Sequence, residues 1–216
     1  MSDQSQRYAG LIARRTIMSE RDMRRIGEEV EPGGRPKAPG RLELLQRFIN
    51  SHNHDLPADW DRIGTAQRAQ TWLRQKGLIG RADRISAADA ALLRELREAI
   101  RALAVANQGA RPDREALDRI RAIAGDARLS VAVDELGRTA LEPTDRGIEG
   151  AVAALLGILH EAQLAGDWSR MKGCRQCQYA FFDRSKNRSA AWCAMSICGN
   201  RTKNRAYYQR RRSASG

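Results

Sequence analysis

CRQCQYAFFDRSKNRSAAWCAMSICGNRTKNRAYYQRRR, residues 174–212, concentrates the chemistry of this chain. It holds all four cysteines of the protein, Cys174, Cys177, Cys193 and Cys198, spaced C-x2-C, fifteen residues, then C-x4-C. A two-residue loop lets a pair of thiolates reach one ion, and Zn2+ takes four such ligands at the corners of a tetrahedron. The intervening segment reads as a hairpin, with QYAFFD running outward, RSKNRS turning and AAW returning, which sets Cys198 at the start of a final helix. A knuckle, a hairpin and a helix carrying the last ligand describe a treble-clef-like finger around one structural Zn2+. Phe181 and Trp192 would form its small core. A redox C-x2-C belongs at a strand-to-helix turn of an α/β fold, and no such pattern precedes this one. A catalytic zinc keeps one ligand position open beside an acid or base, and the only acid here is Asp183. Because metal binding and folding are coupled, a chelator is expected to unfold this finger and spare the rest of the chain.

Charge follows the cysteines. The protein carries a formal +12 over 216 residues, yet Arg170 to Arg212 contains 12 Lys or Arg against the one acid, a net +11. The chain before Arg170 is balanced, with 26 basic and 25 acidic residues. A cationic end on a neutral body is the composition of an appended polyanion-binding module. No apolar run approaches the length that spans a bilayer, and the N-terminus shows no signal-peptide core. The sequence therefore predicts a soluble, cytoplasmic protein, in whose reducing compartment clustered cysteines bind metal rather than pair as disulfides.

Upstream of the finger, residues 41–168 read as a helical domain. RLELLQRFIN places Leu42, Leu45, Phe48 and Ile49 on one helical face. Thr65 caps a second helix that stops near Gly77. Ser86 opens a capping sequence for a long helix to about Asn107, with Leu92, Leu96, Ile100 and Leu103 at the helical period. Pro112 suits the first position of a further helix to about Ala124. The period then shifts to two: RLSVAVDELGRTALEP predicts a β-hairpin near 128–143, turning at Glu135–Gly137. Gly147 to Gly166 is a last apolar helix. Residues 1–40 are polar and end in the breaker-rich EPGGRPKAPG, so they read as a flexible leader, with intermittent helix at most between Tyr8 and Val30. Residues 213–216 form a short tail. The expected fold is mainly α with one β-hairpin, a helical N-terminal domain followed by the small finger.

The finger resembles the CGNR zinc finger, named for the residues that are here Cys198, Gly199, Asn200 and Arg201. The likeness runs through C-x2-C, the F-x-D-x-S-x-N-R-S turn, W-C-x-M, the CGNR itself and a basic tail with tyrosines. RLELLQRFIN, WLRQKGLI and the order of elements in residues 41–165 resemble the ABATE helical domain that precedes such fingers. The resemblance implies a bacterial transcription regulator, often stress-related, acting on double-stranded DNA at the nucleoid.

The helix after Cys198 carries Arg201, Lys203, Arg205, Arg210, Arg211 and Arg212 around much of its circumference, and a helix with so little apolar surface cannot be buried in a core. In a major groove, flanked by phosphates, charge on several sides is useful. Arg201 could reach a guanine edge or brace the finger. Asn200 suits local capping or base reading. Lys203, Arg205 and Arg210 to Arg212 suit phosphates, as do Arg184, Lys186 and Arg188 at the hairpin turn. Tyr208 and its neighbour Tyr207 could touch the DNA backbone or pack on the hairpin.

The helical domain would sense a small-molecule effector or mediate assembly, and a homodimer would let two small fingers read paired half-sites. His52, Asn53, His54 and Asp55 form a loop cluster that could hold a metal ion, although two histidines at i, i+2 in a loop are usually surface residues. His160 stands alone on an apolar helix. No phosphate loop, dinucleotide fingerprint or nucleophile elbow occurs, so no enzyme is expected. An RNA- or ribosome-associated protein, or a module that docks on the transcription machinery, would use the same basic surface.

Overall fold

A computed structural model describes residues 31–213, without side-chain detail at residues 206, 208 and 210–213. Leu42–Ile49 forms helix α1, and the four apolar residues expected on one face, Leu42, Leu45, Phe48 and Ile49, are all buried. Helix α2, Ala66–Gln75, begins where the Thr65 hydroxyl accepts from the Arg68 amide at 3.3 Å. It ends at Gly77, whose φ of 69° closes the last turn in the left-handed region that glycine enters freely.

The central element is α3, Ala87–Ala106. Its start is a capping box, with Ser86 Oγ accepting from the Asp89 amide at 3.1 Å and Asp89 Oδ2 accepting from the Ser86 amide at 2.7 Å. Leu93, Leu96, Ile100 and Leu103 line its buried face, while Leu92 is half-buried. Helix α4, Arg114–Ala124, starts two residues later than Pro112 suggests. Asp113 is its cap, accepting from the Ala116 amide at 3.1 Å, and a side-chain acceptor decides a helix start more firmly than a fixed φ.

The expected hairpin forms as β1, Leu129–Val133, antiparallel to β2, Thr139–Pro143, with Val131 opposite Leu141. It packs on α5, Gly147–Leu164, where Leu129 and Leu141 lie against Gly157. A second antiparallel pair, β3 (Met171–Gly173) and β4 (Ala180–Phe182), opens the finger. Its strands flank the first cysteine pair, so the knuckle is the turn of this hairpin. The expected pairing of QYAFFD with AAW is not the one that forms. The returning segment makes one backbone bond to the knuckle, from the Arg175 amide to Ala191 O at 3.0 Å, and does not become a strand. Helix α6, Asn200–Ser213, completes the described chain.

Finger and helical domain share one core. Trp168, Met171, Ala180 and Phe182 lie in the same apolar cluster as the buried faces of α1, α3 and α5. Gly173 lies so near α3 that a Cβ there would overlap a Val105 methyl and sit 3.2 Å from Val105 Cα. The free edge of β4 is satisfied by the residue that caps the end of α1: Asn50 Nδ2 donates to Ala180 O and Asn50 Oδ1 accepts from the Ala180 amide, both at 2.8 Å.

The end of the segment read as a flexible leader belongs to this packing. Glu31, Pro32 and Ala38 are buried, Gln46 Nε2 donates to Glu31 Oε2 at 2.9 Å, and Gln46 Oε1 accepts from the Ala38 amide at 2.8 Å. Residues 31–40 are therefore a strap across the finger rather than leader. The rest of that assignment, residues 1–30, lies outside the described residues.

Candidate metal centre and nucleic-acid interface

The knuckle closes through the Gln178 amide to Cys174 O at 2.8 Å and the Cys174 amide to Tyr179 O at 2.9 Å, with Gln178 at φ 58°. Cys198 comes from a tight turn, Met195–Gly199, in which the amides of Cys198 and Gly199 both donate to Ala194 O, and Cys193 stands just before it. All four cysteines are buried. Their sulfurs lie within 4.8 Å of one another, and the Cys177–Cys193, Cys193–Cys198 and Cys177–Cys198 separations are each 3.7 Å.

Those lengths test the metal. A tetrahedron with Zn–S bonds of about 2.3 Å has sulfur–sulfur edges of about 3.8 Å, against about 2.05 Å in a disulfide. The cluster has the dimensions of a zinc tetrathiolate. Hydrogen bonds among the four thiols hold Cys174 and Cys198 below the usual thiol range and drive Cys177 and Cys193 up, so among these four sulfurs alone charge gathers on two and protons stay on the other two. A dication is what lets all four ionise together. Phe181 and Tyr179 are buried beneath the cysteines, as expected for Phe181, while Trp192 is only partly covered.

Two supports of the site carry no signal in the cysteine spacing. Arg35, on the strap, donates from Nε to Cys193 O at 2.6 Å and from Nη2 to Trp192 O at 3.1 Å, with its guanidinium 4.8 Å from the Phe181 ring centre. Asp183 is fully buried and organises the turn between the cysteine pairs. It accepts from the amides of Ser185 and Ala190 at 2.9 and 3.0 Å and from Lys172 Nζ at 2.9 Å, and Lys172 in turn donates to Arg188 O. Burial alone would raise its carboxyl, but the bonds from Ser185, Lys172 and Ala190 outweigh that and hold it at about 2. An Asp two residues before a Ser is a local turn signal that could have marked this role.

The expected contact residues separate into groups. Asn200 Nδ2 donates to Ser196 O at 3.2 Å and Thr202 Oγ1 to Cys198 O at 2.9 Å, tying the first turn of α6 to the ligand turn. Arg201 pairs with Asp55 of the helical domain at 2.9 Å. Arg184 donates to Lys37 O and lies 5.3 Å from the Phe182 ring centre, and Arg188 donates to Ser169 Oγ. Lys186, Lys203 and Arg205 are exposed. The side chains of Tyr208, Arg210, Arg211 and Arg212 fall outside the described ones.

Helix and finger are welded by polar bridges. Arg101, buried in α3, donates to Gln178 O at the knuckle at 3.1 Å and to Ile49 O and His52 O at 2.5 and 2.8 Å. Gln108 donates to Gly173 O and Ala191 O, and Asn107 to Trp168 O and Met171 O.

Two family profiles match this arrangement. The CGNR zinc finger covers residues 170–211. The ABATE family, described as "putative stress-induced transcription regulator", covers residues 42–167, more than half of the chain. The chain belongs to the ABATE family. Its CGNR finger carries one structural zinc ion, for which the four buried cysteines are the donor set present. Both families are of regulator and zinc-finger type rather than enzyme type. No curated protein matches the chain. Among the described residues no helix is long and apolar enough to cross a membrane.

Proposed function

We propose that this ABATE protein regulates transcription by holding duplex DNA with helix α6 and the basic turn of its CGNR finger. The observation that carries the reading is the placement of α6. It leaves the metal turn directly, with its first turn bonded to that turn, and bears six Lys or Arg and no acid between Asn200 and Ser213. Lys203 and Arg205 face solvent, where a phosphate backbone could meet them. Lys186 offers a further cation from the finger's turn. The pairing of Arg201 with Asp55 favours a bracing role for that arginine, and Asn200 acts as a local cap, so base reading falls to residues further along α6. Such a protein works at the nucleoid, and two copies on paired half-sites would supply the specificity that one small finger lacks.

Fluorescence anisotropy of the full-length zinc-loaded protein on matched and scrambled duplexes tests this. Affinity should fall steeply with salt as phosphate contacts release counterions. Arg205→Ala should weaken binding to every duplex by a similar factor and lower the salt slope by about one. Binding that ignores salt, or a preference for RNA of the same sequence, would reject the duplex-DNA reading.

A further inference from the structure

Outside the finger, one more group of metal-ligating side chains converges among the described residues. His52 and His54, from the loop after α1, and Glu98, from α3, each present a donor atom, all within 4.8 Å of one another. We propose that His52, His54 and Glu98 form a second, weaker site for a divalent first-row transition ion such as Zn2+, at the junction of the helical domain and the CGNR helix.

The donors suit that ion class. Two imidazoles and a carboxylate with an open side are the ligands of zinc and its neighbours, whereas magnesium and calcium take oxygen alone. His54 Nε2 lies 3.0 Å from Glu98 Oε2, near the ligand–ligand edge of about 3.3 Å that bonds of about 2.0 Å impose, so the ion would take the place of the shared proton. His52 Nε2 is buried and has no hydrogen-bond partner. Burial also holds the His52 imidazole below its ordinary range, keeping it neutral with a lone pair available. For Glu98 burial alone would raise the carboxyl, but the bond with His54 and the charges of Arg101 and Arg97 outweigh it, so the group is ionised. His54 and Glu98 are each 39% exposed on their side chains, which leaves room for water to complete the shell.

The surroundings explain why the site is the weaker of the two. Glu98 already accepts from Arg97 Nε at 2.8 Å and Arg101 Nε at 2.9 Å, and a dication must share the carboxylate with both. Asp61, bidentate to Arg97, and Asp55, paired with Arg201, bring the local charge back to balance. Occupancy would be felt beyond the loop. Asp55 follows His54 directly and grips Arg201 of α6, and Arg101 joins Glu98 to His52 O and to the zinc knuckle.

The test counts zinc. Full-length protein carrying one equivalent is dialysed against graded free Zn2+, and bound zinc per chain is measured by elemental analysis, with circular dichroism checking the fold. Wild type should take up a second equivalent at higher free zinc. His54→Asn and Glu98→Gln should stop at one, and His52→Asn, the milder change at a half-buried position, should do the same if a Glu98 variant unfolds. His160→Asn, altering the only other histidine, should leave two. A wild type that saturates at one equivalent, or variants that still bind two, would overturn the site. No DNA is present in this measurement, so a failure of the duplex-binding reading would leave its outcome standing.

Discussion

Glu31 is a carboxylate in the wrong solvent. It is 5% exposed, its partner is the neutral amide of Gln46, and the Tyr179 hydroxyl beside it makes no hydrogen bond of ordinary geometry. Burial pushes it up to about 7 from 4.5, more than its neighbours Tyr179, Arg47 and Lys37 pull it down. The folded state therefore binds more protons at this group than the unfolded chain does between pH 4.5 and 7. Stability from Glu31 is highest below 4.5 and declines as pH rises through that window, by on the order of 3 kcal/mol in all. Glu31→Gln keeps an acceptor for Gln46 and removes the charge. In urea denaturation the variant should be more stable than wild type at pH 8, and the gap should narrow by pH 5.5. Equal midpoints for the two proteins at both pH values would show that Glu31 is solvated.

At the scale of elements, what was legible in the sequence was local. Ser86 and Thr65 announce their helices because a cap acts three residues away, and the alternation of Leu129, Val131 and Val133 announces β1 because the strand period is two. The cysteine spacing announced the ligand turn for the same reason. The pairing of β3 with β4 was not legible, because three-residue strands carry too little period, and the turn-forming RSKNRS drew the hairpin to the wrong side of β4. The strap was missed because prolines and glycines mark a break in local structure and say nothing about what the extended chain lies against. Gly173 is the element-scale test of the weld between α3 and β3. Gly173→Ala would force its methyl into Val105, and overpacking of this kind typically costs about 1–3 kcal/mol. Thermal melting should show the loss, and Val105→Ala in the same chain should recover part of it. No change in the single variant would mean that the strand can move away freely.

For the whole molecule, the shared core revises one expectation. Spacing and charge describe an appended finger that could unfold alone. In the structure Met171, Ala180 and Phe182 of the finger fill the core of the helical domain, and Arg101 of α3, with Asn107 and Gln108 just past its end, is hydrogen-bonded to finger carbonyls. Removing zinc should therefore loosen α1 and α3 as well. With a strong chelator, far-ultraviolet circular dichroism should lose more helix than α6 alone contributes, in one cooperative transition. A two-step melt, with the helical domain unchanged in the first step, would restore the independent finger.

Arg35 reaches across 158 residues to the carbonyl of Cys193. At roughly 5–20 residues per second of synthesis, the strap waits on the order of ten seconds or more before its partners exist. In refolding from denaturant that loop must close before the contact yields anything, which makes it a slow, high-contact-order event. The metal turn is among the last parts of the described chain to be made, and one of the earliest is what completes it.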